Sequence, residues 1–330
     1  MGVTPAADAL AEWTPIRLRW EGRRPVIRWC FTQGIEFTEP FFDQTIDRCQ
    51  RNPFRLLFWR ETGMDALGAL ASQSPGQTPA GFIFHMSRCG STLVAQMLAG
   101  LGSALVISEA GPIDAVLRAQ AARPDIVERD LVDWLRWMVS ALGRSRHAGQ
   151  TRFVVKFDAW AILQLPLIRA AFPDVACVFV YRDPVEVVVS HLGHRGYHMI
   201  PGALPPTTLG LSSREARSLS LEQYFAAVLA CLCDAALAAA RDGQLTLLQY
   251  SALPDAVPER VMPLFGIDVG ASERDVLARI ARQDAKNPVL PFTEDAADKQ
   301  RRATPAVRAA VHARIAPVYA ELENLRRGRS

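Results

Sequence analysis

The chain has 330 residues, 49% of them hydrophobic and 22% charged, with a formal net charge of only +3. That balance supports a large buried core and excludes an intrinsically disordered chain. Neither a Lys/Arg-rich block nor an interleaved basic-aromatic stretch stands out, so nucleic acid is not expected as the leading partner.

The start, MGVTPAADALAEW, lacks the basic and apolar regions of a signal peptide, and Ala6 stands where a myristoylation motif needs Ser or Thr. IRLRW and PVIRWCF follow as short strands joined by a turn at EGRR, and PFFDQTIDRCQ predicts a helix beginning near Thr38. SQSPGQTPAG, from Ser72 to Gly81, reads as a linker with little to pack. The division expected is a small α+β appendage over residues 1–75 and a main domain over 80–330 with a C-terminal helical segment.

Beyond the linker, strands and helices alternate: strand GFIFHM, helix STLVAQMLAGLG, strand ALVIS, helices between Pro112 and Leu142, and strand RFVVKF. Then come helix AWAILQLPLIRAAF, strand VACVFVY, helix Pro184–His191, a long helix from Leu221 to Ala240 and strand QLTLLQY. Strands apolar throughout predict an α/β fold whose parallel sheet is covered by helices on both faces, in three layers. The apolar stretch Tyr224–Ala240 is short for a bilayer span and carries Asp234, so it reads as a buried helix. The Pro/Gly-rich segment from His194 to Ser213 is the one long irregular stretch and reads as a lid. Six cysteines form no CxxC pair, which suits a reducing compartment, and the expected location is cytoplasmic.

Two segments carry chemistry. In FIFHMSRCGSTLVAQML, Gly90 lets the backbone turn around an anion. Ser91 and Thr92 offer donors at a helix N-terminus, and Arg88 adds a fixed positive charge. No GxxxxGK[ST] pattern is present, which disfavours Mg²⁺-dependent NTP hydrolysis. Cys89 sits in the same turn, where a small residue fitting a tight loop is favoured over a thiol nucleophile. In YRDPVEVVVS, Asp183 reads as an N-cap and Pro184 as the first helical residue. Arg182 and Ser190, about two turns apart, are placed to clasp a second anionic group. Two anion sites on one sheet edge favour a bisphosphorylated ligand.

Lys156 and Asp158 end a predicted strand on the same edge, and Glu109 ends another. Asp158 is either a site carboxylate or the N-cap of the helix that follows. His191, His194 and His198 do not read as a metal site, because Gly193 and Gly196 weaken the helix and no carboxylate or thiolate adjoins. His85, just before the loop, is explained equally by strand packing and by contact with a ligand.

Together SRCGST and YRDPVEVVVS resemble the sulfotransferase family that uses 3′-phosphoadenosine 5′-phosphosulfate (PAPS), over roughly residues 80–290. The resemblance implies a P-loop NTPase-like fold and sulfuryl transfer from PAPS, without a metal, to a hydroxyl or amine of a small-molecule or carrier-bound acceptor. It implies that Arg88, Cys89, Gly90, Ser91 and Thr92 surround the 5′-phosphosulfate and that Arg182 and Ser190 hold the 3′-phosphate, with Tyr250 near the adenine. It implies Lys156 near the transferred group, and Glu109 or Asp158 as the base, with Glu109 ranked slightly ahead. The chain departs from the family's pattern at three places. Arg88 replaces the usual loop lysine, Leu93 stands where many members stack a tryptophan, and no RKG motif completes the 3′-phosphate site. Lys286 or Arg301–Arg302 are the candidate substitutes. The alternatives are a kinase-like, Mg²⁺-dependent phosphotransferase and a non-catalytic nucleotide-binding or partner protein.

Overall fold

A computed structural model describes residues 10–328, so the reading of the first nine residues, Ala6 included, falls outside it. Strands β1 (Trp13–Glu21) and β2 (Arg24–Phe31) form a hairpin turned at Gly22, where φ is +61°. The chain continues through α1 (Phe42–Gln50), α2 (Pro53–Leu57), β3 (Trp59–Thr62) and α3 (Met64–Gln73). β3 adds to β2, giving a three-stranded antiparallel sheet. Helix α1 starts at Phe42 rather than near Thr38, with Phe41 as its N-cap. Pro40 disfavours a helical residue before it, and Glu39 turns its side chain back onto Thr45 and Arg48. β3 and α3 were not expected. β3 is only four residues long, and in α3 the apolar residues, half of them alanine, are too nearly contiguous for a period to stand out.

The main sheet has the order β5-β6-β4-β7-β8, all parallel. Its strands are β4 (Gly81–His85), β5 (Ala104–Ser108), β6 (Arg152–Lys156), β7 (Ala176–Tyr181) and β8 (Thr246–Gln249). The crossovers are α4 (Ser91–Ala99), α5 (Gly111–Leu117), α6 (Ala119–Ala122), α7 (Glu128–Leu142), α8 (Leu165–Ala171), α9 (Pro184–Gly193), α10 (Ser213–Ser218) and α11 (Leu221–Arg241). Every residue of β4 and β5 is buried, as a sheet covered on both faces requires. The segment expected as one helix from Ala159 begins as a 3₁₀ turn, Ala159–Gln164, and becomes α-helical only where Pro166 can sit in the first turn. After β8 come α12 (Met262–Leu264), α13 (Ala271–Ala281), α14 (Ala296–Arg302), α15 (Pro305–Arg314) and α16 (Ala316–Gly328).

Helix α11 is long and apolar enough to cross a membrane, but 67% of its apolar window is buried in the protein. A capping box at Ser220 and Gln223 starts it, and α9, α15 and α16 pack around it. It is a core helix.

The linker expected at 72–81 is in part structured. Ser72 and Gln73 end α3, Gly81 begins β4, and the turn between lies against the end of α7. There the Gly76 N–H donates to Ser140 Oγ at 3.0 Å and the Gln77 N–H to the Gly143 carbonyl at 2.9 Å. β1 packs on α5 and α7, and α3 on α7, so one buried core runs from Leu10 to Leu322. Trp20 meets Trp134 across that junction, with ring centroids 6.2 Å apart.

The entry to α9 positions much of the site. Asp183 accepts from the Val185 and Glu186 N–H groups at 2.9 and 3.2 Å, and from Gln300 Nε2 at 3.1 Å. Removing a cap of this kind costs about 1–2 kcal/mol. Asp183→Ala is therefore expected to lower the urea midpoint by that equivalent and Asp183→Asn by much less, whereas equal midpoints for all three proteins would show the cap to be idle.

Candidate active site

Each of the five parallel strands delivers one polar or aromatic side chain at or just past its C-terminal end: Arg88 after β4, Glu109 after β5, Asp158 after β6, Arg182 after β7 and Tyr250 after β8. This edge, where β4 is flanked by strands reached in opposite directions, is where open α/β sheets collect ligands. Two adjoining cavities, of about 200 and 250 Å³, lie there and share Arg88, Ser91, Thr92 and Lys286 in their common wall.

The loop after β4 is pinned from below. The Met86 N–H donates to the Val180 carbonyl at 3.1 Å, and the Cys89 thiol donates to the same oxygen at 3.0 Å. Burial pushes that thiol up to about 11, so Cys89 is a packing residue and not a nucleophile at neutral pH. Gly90 has φ +88°, and a Cβ there would come within 2.6 Å of Leu253 and 2.9 Å of Tyr250. Only glycine fits. Helix α4 starts at Ser91 with no side-chain cap, leaving the first amide N–H groups directed into the cavity mouth.

Arg88 Nε donates to Ser190 Oγ at 2.8 Å, so the β4 loop and the second turn of α9 meet in one cavity. Arg182 is buried beside them. Its Nε donates to Glu186 at 2.6 Å, one Nη to Asp295 at 2.7 Å, and its guanidinium lies 4.0 Å from the Tyr250 ring centroid. Lys286 and Lys299 complete the first cavity, with Leu93, Phe292, Asp284 and Asp295. Arg301 and Arg302, expected as possible substitutes for the absent motif, point away and are held at the surface by Asp298. Lys299 instead lines the first cavity, ion-paired to Asp295 at 2.6 Å. Burial, with Arg88 and Lys156 nearby, lowers the Lys286 ammonium to about 8.

The second cavity is lined by Glu109, Asp158, His85 and the aromatic rings of Phe41, Trp160 and Tyr197. Lys156 does not line it. The lysine side chain is fully buried behind Glu109 and bonds to that carboxylate. His85 Nε2 lies 3.3 Å from Glu109 Oε1, while its Nδ1 accepts from the Ser87 N–H at 3.0 Å. Burial works against ionisation of Glu109, but Lys156 and His85 outweigh it and hold the carboxyl well below the usual range. Asp158 is the opposite case. It makes no capping hydrogen bond to the following turn, and burial, with Glu109 and Asp114 nearby, pushes its carboxyl well above the usual range. Trp160, which follows it, is fixed by a 2.7 Å bond from Nε1 to Asp114.

Among the described residues the only non-glycine positions with positive φ are Ser87 at 75°, Arg88 at 52° and Glu109 at 53°, and all three line this cavity. Each such residue costs about 1–3 kcal/mol, so the rest of the fold holds them there. The segment from His194 to His198 closes one side, and the His198 ring lies 5.5 Å from that of Trp160, tilted by 48°. Burial pushes His191 down to about 2 and His198 to about 4, so both are neutral at physiological pH. Among the described residues no three His, Cys, Asp or Glu side chains gather as a metal site.

No protein-family model and no curated protein matches the chain. Among solved structures, the likeness is to sulfotransferases. Sulfotransferase STF9 from Mycobacterium avium is 13% identical with a TM-score of 0.47, covering 85% of this chain and 84% of that one. A sulfotransferase from Alicyclobacillus acidocaldarius is 14% identical with a TM-score of 0.44, covering 76% and 96%. The sulfotransferase domain of the Synechococcus PCC 7002 olefin synthase is 12% identical with a TM-score of 0.41, covering 78% and 96%. At such scores the function is argued from the side chains themselves.

Four site residues carried no sequence signal. Phe41 reaches the second cavity from the N-terminal unit, 5.2 Å from Lys156 Nζ to its ring centroid. Asp284, Asp295 and Lys299 arrive from the C-terminal segment, where polar residues are common and no motif marks them. The ion pairs that link Arg182 through Asp295 to Lys299 are visible only in three dimensions.

The Lys156–Glu109 pair generates a stability prediction. Glu109→Gln leaves a buried ammonium without its carboxylate, at a cost of about 3–5 kcal/mol. Because the folded-state pKa of Glu109 is depressed, its contribution is complete above the ordinary value of 4.5 and is lost as pH falls below it. Urea unfolding at pH 7 and pH 4 is expected to show a smaller gap between wild type and Glu109→Gln at pH 4. A gap that does not change with pH would show that the fold does not hold the Glu109 carboxyl below its ordinary range.

Proposed function

We propose that this chain transfers a sulfuryl group from 3′-phosphoadenosine 5′-phosphosulfate to a hydroxyl or amine of a small-molecule or carrier-bound acceptor. The observation that carries the reading is the Arg88–Ser190 hydrogen bond, which merges two separately encoded anion motifs into one cavity. That cavity sets four cationic side chains against two carboxylates and adds an uncapped helix N-terminus. This donor set suits a nucleotide with phosphate at two places, and the missing Cβ of Gly90 admits an anion close to the backbone.

When bound, the donor supplies a sulfuryl group already activated by its bond to a phosphate. The residues of the chain then divide the task. Arg88, the α4 amides and Lys286 stand in the wall between the cavities, positioned to stabilise charge on the departing phosphate oxygen. Arg88 stays protonated, so its contribution is electrostatic and not proton donation. The acceptor occupies the second cavity, where Asp158 takes the proton from its attacking oxygen or nitrogen. Asp158 suits this role better than Glu109, reversing the earlier ranking, because Lys156 and His85 hold Glu109 ionised while the environment of Asp158 favours proton uptake. Glu109 and Lys156 are positioning residues.

The test is sulfuryl transfer from PAPS across a panel of phenols, alcohols and amines. Asp158 must be ionised to act, so the rate is expected to rise with pH through an elevated carboxyl pKa. Asp158→Asn should lower kcat about 10²–10⁴-fold, remove that rising limb and leave the donor KM nearly unchanged. Asp158→Asn at wild-type rate would overturn the assignment, and tight PAPS binding without turnover on any acceptor would favour a non-catalytic nucleotide-binding protein.

A further inference from the structure

Helix α2 and the first residue of β3 form an apolar projection on the N-terminal unit. Phe54, Leu56, Leu57, Phe58 and Trp59 are consecutive but for Arg55, and their exposures are 55, 52, 70, 56 and 44%. No residue of α2 is buried, so the helix does not pack into a core at all. Phe54 and Phe58 stack on each other at 4.6 Å, which presents their rings as one apolar face. A contiguous patch of this kind marks an interaction surface.

The charge around it identifies the partner. From Arg48 to Arg60 the sequence RCQRNPFRLLFWR holds four arginines and no acidic residue. Arg48 is spent on Glu39, at the far end of the stretch. Among the described residues Arg28, Arg51 and Arg55 have no carboxylate partner. The Arg28 guanidinium lies over the Trp59 ring at 4.2 Å, and Arg55 donates to the Gln33 carbonyl at 2.9 Å. The patch is therefore apolar at its centre and cationic at its rim.

We infer that α2 and Trp59 dock this protein on an anionic lipid surface, with the apolar side chains in the headgroup–acyl boundary and the arginines on the lipid phosphates. A second copy is a poorer occupant, because a two-fold contact through this patch would bring like-charged arginines together. A single-stranded nucleic acid is also poorer, because Leu56 and the still more exposed Leu57 offer no face on which a base stacks. The placement of the projection also bears on the site: α1 runs from Phe41, in the second cavity, to the residues just before α2. Helix α1, nine residues and about 13 Å long, connects the Phe41 end of the cavity to the chain that enters α2. The inference is independent of which reaction the site performs.

Sedimentation of the full chain with vesicles tests it, using phosphatidylcholine alone and phosphatidylcholine with a third phosphatidylglycerol. Binding is expected only to the anionic vesicles and at least tenfold weaker in high salt. Arg51→Gln should weaken it about fivefold and Leu56→Glu/Leu57→Glu at least tenfold. Neither variant touches the cavities, so the circular dichroism and urea midpoint should be unchanged. No sedimentation with either vesicle would overturn the inference. So would binding unaffected by the leucine variant, displacement by a single-stranded oligonucleotide, or concentration-dependent self-association that the leucine variant abolishes without any vesicle binding.

Discussion

The hydrogen bond from Arg88 Nε to Ser190 Oγ is the constraint on which the site depends. It joins a loop that leaves β4 to a helix that leaves β7, two strands paired along five residues. For the bond to form, Arg88 must take a left-handed backbone conformation and Gly90 another, with the Val180 carbonyl accepting from both Met86 and Cys89 to hold the turn down. The strain is local and the compensation is spread over the sheet edge. Its consequence is that the Arg88 guanidinium stands in the wall shared by two cavities rather than at the back of either.

A second division follows from burial. Glu109 and Asp158 lie at the ends of neighbouring strands around one cavity, yet their environments push their carboxyls in opposite directions. Lys156, fully buried on the strand that leads to Asp158, bonds to Glu109 on the neighbouring strand. One carboxylate is thereby held in its charged form, while the surroundings of the other favour the protonated form. Pairs of titratable groups separated in this way are how a single site assigns acid–base roles.

Much of this was legible in the sequence, for definite reasons. The strands of the main sheet are apolar without interruption, so their positions were set to within a residue or two by composition alone. SRCGST and YRDP combine glycine, proline and charge at strand ends, where each residue type has few other uses. The opposed environments of Glu109 and Asp158 were not legible, because the two carboxylates look alike in sequence and differ only in what lies behind them. The contribution of Phe41 depends on packing between units distant in sequence. Lys299 was hidden among the polar residues of α14, while Arg301 and Arg302 drew attention by their doublet. The stretch from Arg51 to Arg60 escaped notice because the whole chain is nearly neutral. Only the exposure of Leu56 and Leu57 separates that stretch from an ordinary amphipathic segment.

The central claim is that the two motifs form one site for a nucleotide bearing phosphate at its 3′ and 5′ positions. Calorimetric titration with 3′-phosphoadenosine 5′-phosphate, adenosine 5′-phosphate and ATP, with and without Mg²⁺, tests it most directly. The account predicts that the bisphosphate binds at least about a hundredfold more tightly than adenosine 5′-phosphate, as two charge-assisted contacts to a second phosphate would supply. It also predicts that Mg²⁺ has no effect and that Ser190→Ala narrows the gap. Equal, weak binding of all three nucleotides, or a preference for Mg²⁺–ATP, would contradict it.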